Sequence, residues 1–142
     1  MTLFKTKKPD YTVIVGCGRL GANLANSLSD EGGNVLIMDR DRDSFRRLSS
    51  SFGGLSVVGN GTDLDALQEA ELQKASTVIA VTNNDNTNIM VAQIARDLFH
   101  VDKVIARLFD PERESVYQEF GIQTFCPAIL SVKEIDRMLV NS

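Results

Sequence analysis

A chain of 142 residues has room for about one domain of ordinary size. Its 43% hydrophobic and 24% charged residues are globular values, which exclude a disordered tail, a collagen-like rod and a coiled coil. Fifteen Lys+Arg against nineteen Asp+Glu leave a formal net charge of −4, which disfavours a general binder of nucleic acid, a ligand that rewards basic surfaces.

Residues 1–10 are basic, lack the apolar stretch of an export signal, and are expected to form a flexible arm ahead of a single domain over 11–142. No apolar run approaches the roughly 20 residues that span a bilayer. Two cysteines without a secretory signal point to the cytoplasm rather than to a disulfide scaffold. The chain then alternates two hydrophobic periods. Tyr11 to Val15 is a β-branched strand, and Leu20, Ala22, Leu24, Ala25 and Leu28 recur at helical spacing over Arg19 to Asp30, closed by Gly32 and Gly33. Asn34 to Met38 is a second strand, followed by a polar helix expected over Arg42 to Phe52 with Phe45 and Leu48 turned inward. Leu55 to Val58 is the third strand; Gly59 to Gly61 turns into a short helix carrying Leu64, Leu67 and Leu72. Ser76 to Val81 is the fourth strand, and a helix with Ile89, Met90, Ile94, Leu98 and Phe99 follows a polar stretch. Lys103 to Arg107, a helix from Pro111 to Phe120, a weak strand from Ile122 to Phe125 and a last helix over Ala128 to Val140 complete the chain.

Strict strand–helix alternation implies parallel strands joined by crossover helices, hence a three-layer α/β fold. Strands apolar at nearly every position predict a six-stranded parallel sheet covered on both faces.

Gly16-Cys17-Gly18-Arg19-Leu20-Gly21 follows the first strand and opens the first helix, the context that gives a glycine pattern its meaning. The first glycine permits the tight turn, the second lets a pyrophosphate approach the backbone, and the third lets helix and strand lie close. Amide donors and the positive helix end then face the phosphate. Asp39 ends the second strand, where an acid accepts from ribose hydroxyls, and its charge favours NAD or a plain adenine nucleotide over NADP. Arg40 and Arg42 stand ready to neutralise a 2′-phosphate, whereas Asp41 and Asp43 read as solvated loop carboxylates. In a doubly wound sheet the ligand lies beyond the strand ends. That position brings in Gly59, Asn60, Gly61 and Thr62 on the adenine side, Thr82 and Asn83 as crevice walls or helix caps, and Arg107 as a phosphate ligand or structural pair. Arg19 either folds over a phosphate or reaches a neighbouring subunit, the alternative being solvent.

Catalytic equipment is sparse. The single histidine, His100, is placed on the far edge of the sheet; a Tyr-x-x-x-Lys pair is absent, and one His with two distant Cys gives no metal-ligand spacing. Cys17 and Cys126 read as small packed residues, with a redox response as the alternative. The sequence therefore favours binding over chemistry, against the rival of a small NAD(P)-dependent oxidoreductase or a fragment of one.

Val13 to Gly21, Asp39, Val58 to Asp63 leading to Leu67, Ala75 to Thr82 and Val104 to Arg107, in this order, resemble the N-terminal nucleotide-binding domain of the TrkA/RCK family, regulators of K+ conductance. The likeness covers about residues 11–140. It implies a doubly wound Rossmann fold and a cytosolic regulatory subunit of a potassium channel or uptake system. NAD(H), ATP, ADP or AMP would bind a ring of such subunits and gate a membrane pore. By the same resemblance Gly16, Gly18 and Gly21 cradle phosphate, Arg19 serves it, Asp39 holds the ribose, Gly59 to Thr62 border adenine, and Thr82, Asn83 and Arg107 line the crevice. Asn60 departs from the acid that family members often carry, and the ligand-sensing half usually found after this domain is expected from a second polypeptide, the alternative being that this sequence is part of a longer chain. The apolar stripe Ile129, Val132, Ile135, Met138 and Leu139 on the last helix fits a subunit contact, since an amphipathic face must be buried somewhere.

Overall fold

A computed structural model describes residues 10–141; the basic arm, apart from Asp10, lies outside the described residues. Six strands form one parallel sheet: β1 (Thr12–Val15), β2 (Val35–Asp39), β3 (Leu55–Val58), β4 (Thr77–Ala80), β5 (Lys103–Arg107) and β6 (Gln123–Phe125). Their order across the sheet is β3-β2-β1-β4-β5-β6, so the direction of winding reverses beside β1. Five α-helices connect or follow them: α1 (Arg19–Asp30), α2 (Leu64–Glu69), α3 (Asp85–Gln93), α4 (Glu114–Gln118) and α5 (Pro127–Val140).

Register decides which face each side chain joins. Ile14 lies beside Ile37 on one flank and Ile79 on the other, whereas Val13 lies between Leu36 and Val78. Odd and even positions consequently feed two separate cores. The first holds Val13, Val15, Leu36, Met38, Val78, Val104 and Ala106 beneath α2 and α3, with Tyr117 of α4 packed against it. The second holds Ile14, Val35 and Ile37 beneath Ala22 and Ala25 of α1, with Phe45 and Leu48 packed at its margin.

Several expectations change. The polar helix expected over 42–52 is only a 3₁₀ segment, Arg42–Arg47, capped by the Asp41 carboxylate, which accepts from Asp43 N at 3.0 Å. Three-residue spacing still turns Phe45 and Leu48 inward, after which Asn26 Oδ1 captures Ser49 N at 2.9 Å and holds the chain out of a helix. The helix after β4 keeps α geometry through Gln93 and widens into a π-helical turn over Ile94–Leu98. Pro111–Arg113 is a 3₁₀ turn leading into α4, in place of one helix from Pro111 to Phe120.

The sheet is not covered on both faces throughout. Right-handed crossovers place two connections over β1–β3 on the second face and the remaining three on the first. On that second face Ile79 and Ile105 are half-buried and Lys103 and Gln123 exposed; on the first face, edge strand β3 leaves Leu55, the register partner of Leu36, 66% exposed. Every residue of α5 from Leu130 to Val140 is exposed. None of the described helices is long and apolar enough to cross a membrane.

Candidate functional site

β1 delivers the chain to the carboxyl edge of the sheet at Gly16, where Gly16 N donates to Met38 O at 2.8 Å. Gly16 has φ +111°, a region that disfavours any side chain, and a Cβ there would stand 2.7 Å from Val81 O. A Cβ on Gly21 would lie 1.8 Å from Gly16 O, so α1 docks on β1 only because position 21 carries none. At Gly18 a Cβ would meet no protein atom within 4 Å, and the missing side chain leaves open space above the loop.

Gly18 is the N-cap of α1 and supplies no side-chain cap, and the first turn carries no acid. The first four amides of any α-helix lack intrahelical acceptors and carry its positive end, so α1 presents a donor-rich terminus suited to an anion. The Asp39 carboxylate is held at the tip of β2 by two backbone amides: Cys17 N donates to Oδ2 at 2.7 Å and Asp41 N to Oδ1 at 2.8 Å. Each oxygen keeps a lone pair for a further donor.

A crevice of about 340 Å³ opens between these features, within the range of small-molecule sites. Gly16, Cys17, Gly18, Asp39, Arg40, Gly59, Asn60, Gly61, Thr82 and Asn83 of the sequence-predicted set all line it. Arg19, Leu20, Gly21, Thr62 and Arg107 do not. Arg19 projects to solvent from the start of α1; Leu20 packs towards the second core; Gly21 is spent on helix docking. Thr62 is turned into its own turn, its hydroxyl donating to Asn60 Oδ1 at 2.8 Å.

Arg107 works from behind the wall. Its Nη2 donates to Val81 O at 2.8 Å and Thr82 O at 3.0 Å, and the guanidinium stacks over the Phe109 ring at 4.9 Å. Burial pulls its pKa below the usual guanidinium range, with Asp85 opposing. Asn88, fully buried, completes the brace. Its Oδ1 accepts from Thr82 N at 2.8 Å and Thr82 Oγ1 at 2.6 Å, and its Nδ2 donates to Arg107 O at 2.9 Å. The cap of α3 is Asn84, which accepts from Thr87 N at 2.9 Å, so neither Thr82 nor Asn83 plays that part.

Residues that spacing could not bring to the site are Asp41, Ser44, Arg47 and Thr87. The first three arrive because the 3₁₀ segment folds back over the loop, where Cys17 Sγ donates to Ser44 O at 3.4 Å. Cys17 is buried, and burial raises its thiol pKa, with the Asp39 charge adding to the effect. Cys126 is likewise buried and free, near Phe109 O. His100 precedes β5, at the sheet edge opposite the crevice.

A doubly wound parallel sheet with a glycine loop at its first strand and an acid closing its second defines a Rossmann-type domain. The TrkA-N domain family matches residues 12–127, and the chain belongs to that family. It is 46% identical over 132 residues to the Trk system potassium uptake protein TrkA of Streptomyces coelicolor, covering 93% of this chain and 59% of that protein. The chain thus spans a little over half the length of that relative. Among solved structures it resembles the TrkA-N domain of the inner membrane protein ybaL from Escherichia coli, with a TM-score of 0.77 and 22% identity over 93% of this chain and 95% of that one. The GsuK channel bound to NAD superimposes with a TM-score of 0.69 at 20% identity, over 83% of this chain and 21% of that one. These two likenesses establish the fold.

Proposed function

We propose that this domain is the nucleotide-binding part of a potassium-uptake regulator and that an adenine nucleotide, NAD(H), ATP, ADP or AMP, occupies the crevice. The observation that carries the proposal is the uncapped terminus of α1 and the amide-held Asp39 facing one crevice, an anion site and a hydroxyl acceptor side by side. The name of the Streptomyces relative and the NAD held by the GsuK channel support the choice of ligand and system. In this proposal Gly16 and Gly18 admit the phosphates, the amides of Arg19 and Leu20 bind them, Asp39 takes ribose hydroxyls, and Gly59 to Gly61 border the base. Arg107 and Asn88 contribute by fixing the Thr82 wall rather than by touching ligand.

In this reading the domain acts as a regulator. Among the described residues the crevice is lined by no His, Tyr or Lys that would move a proton for hydride transfer. Nucleotide acts by differential affinity, binding one arrangement of an assembly better than another and shifting the population by that margin. A tenfold preference is worth about 1.4 kcal/mol per site. The assembly is cytoplasmic and includes further TrkA or RCK subunits and a membrane potassium transporter or channel. The exposed apolar stripe of α5, Val132, Ile135 and Met138, provides a subunit contact.

Calorimetric titration with NAD, NADH, ATP, ADP and AMP tests the site. Asp39→Ala is expected to weaken the preferred nucleotide about tenfold. Unchanged affinity in that variant removes the ribose assignment, and steady NADH oxidation with a panel of carbonyl compounds would favour an oxidoreductase instead.

A further inference from the structure

Of the three arginines in the 3₁₀ segment Arg42–Arg47, only Arg47 lines the crevice. Arg42 lies outside the lining, and Arg46 is spent on Asp43 at 3.8 Å. Arg47 reaches back 30 residues to the glycine loop, its Nη1 donating to Cys17 O at 3.4 Å. That bond is long and its acceptor neutral, so it is weak. Among the described residues no carboxylate lies within ion-pair distance of Arg47. Asp39 takes the N–H of Cys17 and Arg47 its carbonyl, which sets an anion and a cation on either side of one loop residue. The segment that carries Arg47 is anchored, by Phe45 and Leu48 against the second core and by the Asp41 cap.

An unpaired guanidinium beside a glycine loop and an uncapped helix terminus has one kind of partner to gain. We infer that Arg47 is the specificity-determining cation of the crevice, selecting phosphorylated over unphosphorylated nucleosides by exchanging its bond to Cys17 O for the ligand's phosphate. The inference rests on the nucleotide site proposed above and names the group within it that reads the phosphate. A guanidinium suits the role because its planar fork pairs with two phosphate oxygens at once, and a charge-assisted bond is roughly twice as strong as the neutral one given up. Arg19 lies within the glycine pattern yet outside the crevice lining; Arg40 also lines the crevice but follows Asp39 at the end of β2, whereas Arg47 is bonded to the glycine loop itself.

Equilibrium binding of adenosine, AMP and ADP to the wild-type chain and to Arg47→Gln, Arg47→Lys and Arg19→Gln tests this. Arg47→Gln is expected to weaken AMP and ADP about tenfold while changing adenosine by less than about twofold. The retained adenosine affinity also reports that the variant is folded. Arg47→Lys keeps the charge and most of the preference for phosphate, and Arg19→Gln changes AMP binding less than Arg47→Gln does. If the wild type binds AMP and Arg47→Gln binds it equally well, Arg47 is not the selector and the nucleotide site stands without it. Equal weakening of adenosine and AMP overturns the inference too, because the loss then comes from crevice shape. A wild-type chain that binds none of the three at millimolar concentration overturns both proposals.

Discussion

The two halves of the sheet carry similar apolar strands and meet different fates. In β1 and β2, Ile14 and Ile37 are completely buried under α1. Their register partner Ile79 in β4, and Ile105 beside it in β5, face the same side and are only half-buried. Strand composition says that a face wants cover, whereas crossover handedness decides where the chain provides it. The half with cover from α1 supplies the glycine loop and Asp39 to the crevice, and β4 supplies the Thr82 and Asn83 wall. The other half braces it through Asn88 and Arg107 and leads into an exposed amphipathic helix. A rigid site thus adjoins surface that remains available for contact.

Substitutions in each half sharpen or break this contrast. The largest effect is expected at Gly21→Ala, whose Cβ would stand 1.8 Å from Gly16 O; helix and strand must part, at about 3 kcal/mol in urea unfolding. A loss under about 1 kcal/mol would mean that α1 is not held as closely as the covered half requires. Asn88→Ala comes next at about 2 kcal/mol, since it strands Thr82 N and Arg107 O in a buried setting. It should weaken nucleotide binding as well, because the Thr82 wall loses its brace, and intact affinity would show that the two halves are uncoupled.

Cys17 tests how tightly the covered half is closed. Burial raises its thiol pKa, so its proton stays on as pH rises through the ordinary thiol range near 8.5. Alkylation is expected to lag an unfolded reference most clearly between about pH 8 and 9, and equal rates would mean the loop opens readily. The smallest effect belongs to α5. Ile135→Asp, at a site 55% exposed, should shift unfolding by no more than about 0.5 kcal/mol while lowering the mass in sedimentation if that face joins subunits. A large loss of stability in the monomer would mean that α5 packs on its own sheet.

Much of the fold was legible because its signals are local. β3 runs from Leu55 to Val58 as the apolar run indicates, and Gly32 and Gly33 end α1 by donating to Ser29 O and Leu28 O. The glycine loop and Asp39 were equally readable, since strand, loop, helix and acid have a fixed spacing. Arg107 and Thr62 lie outside the crevice lining, which the sequence does not reveal because position along a strand or turn does not say which way a side chain swings. Arg107 turns to the carbonyls of β4, and Thr62 to Asn60. Arg47 left no signal, because a polar run such as Arg42–Arg47 reads the same as helix or as 3₁₀ turn until the Asn26 contact bends the chain at Ser49.

Periodicity and glycine spacing by themselves determined a parallel, doubly wound domain with a phosphate-type loop at its first strand, since both are written in neighbouring residues. Tertiary structure alone decided that Arg47 joins Arg40 at the crevice, what braces its far wall and which half of the sheet goes uncovered. Those outcomes depend on contacts between residues such as Cys17 and Arg47, or Asn88 and Arg107, that are distant in sequence and adjacent only once the chain has closed.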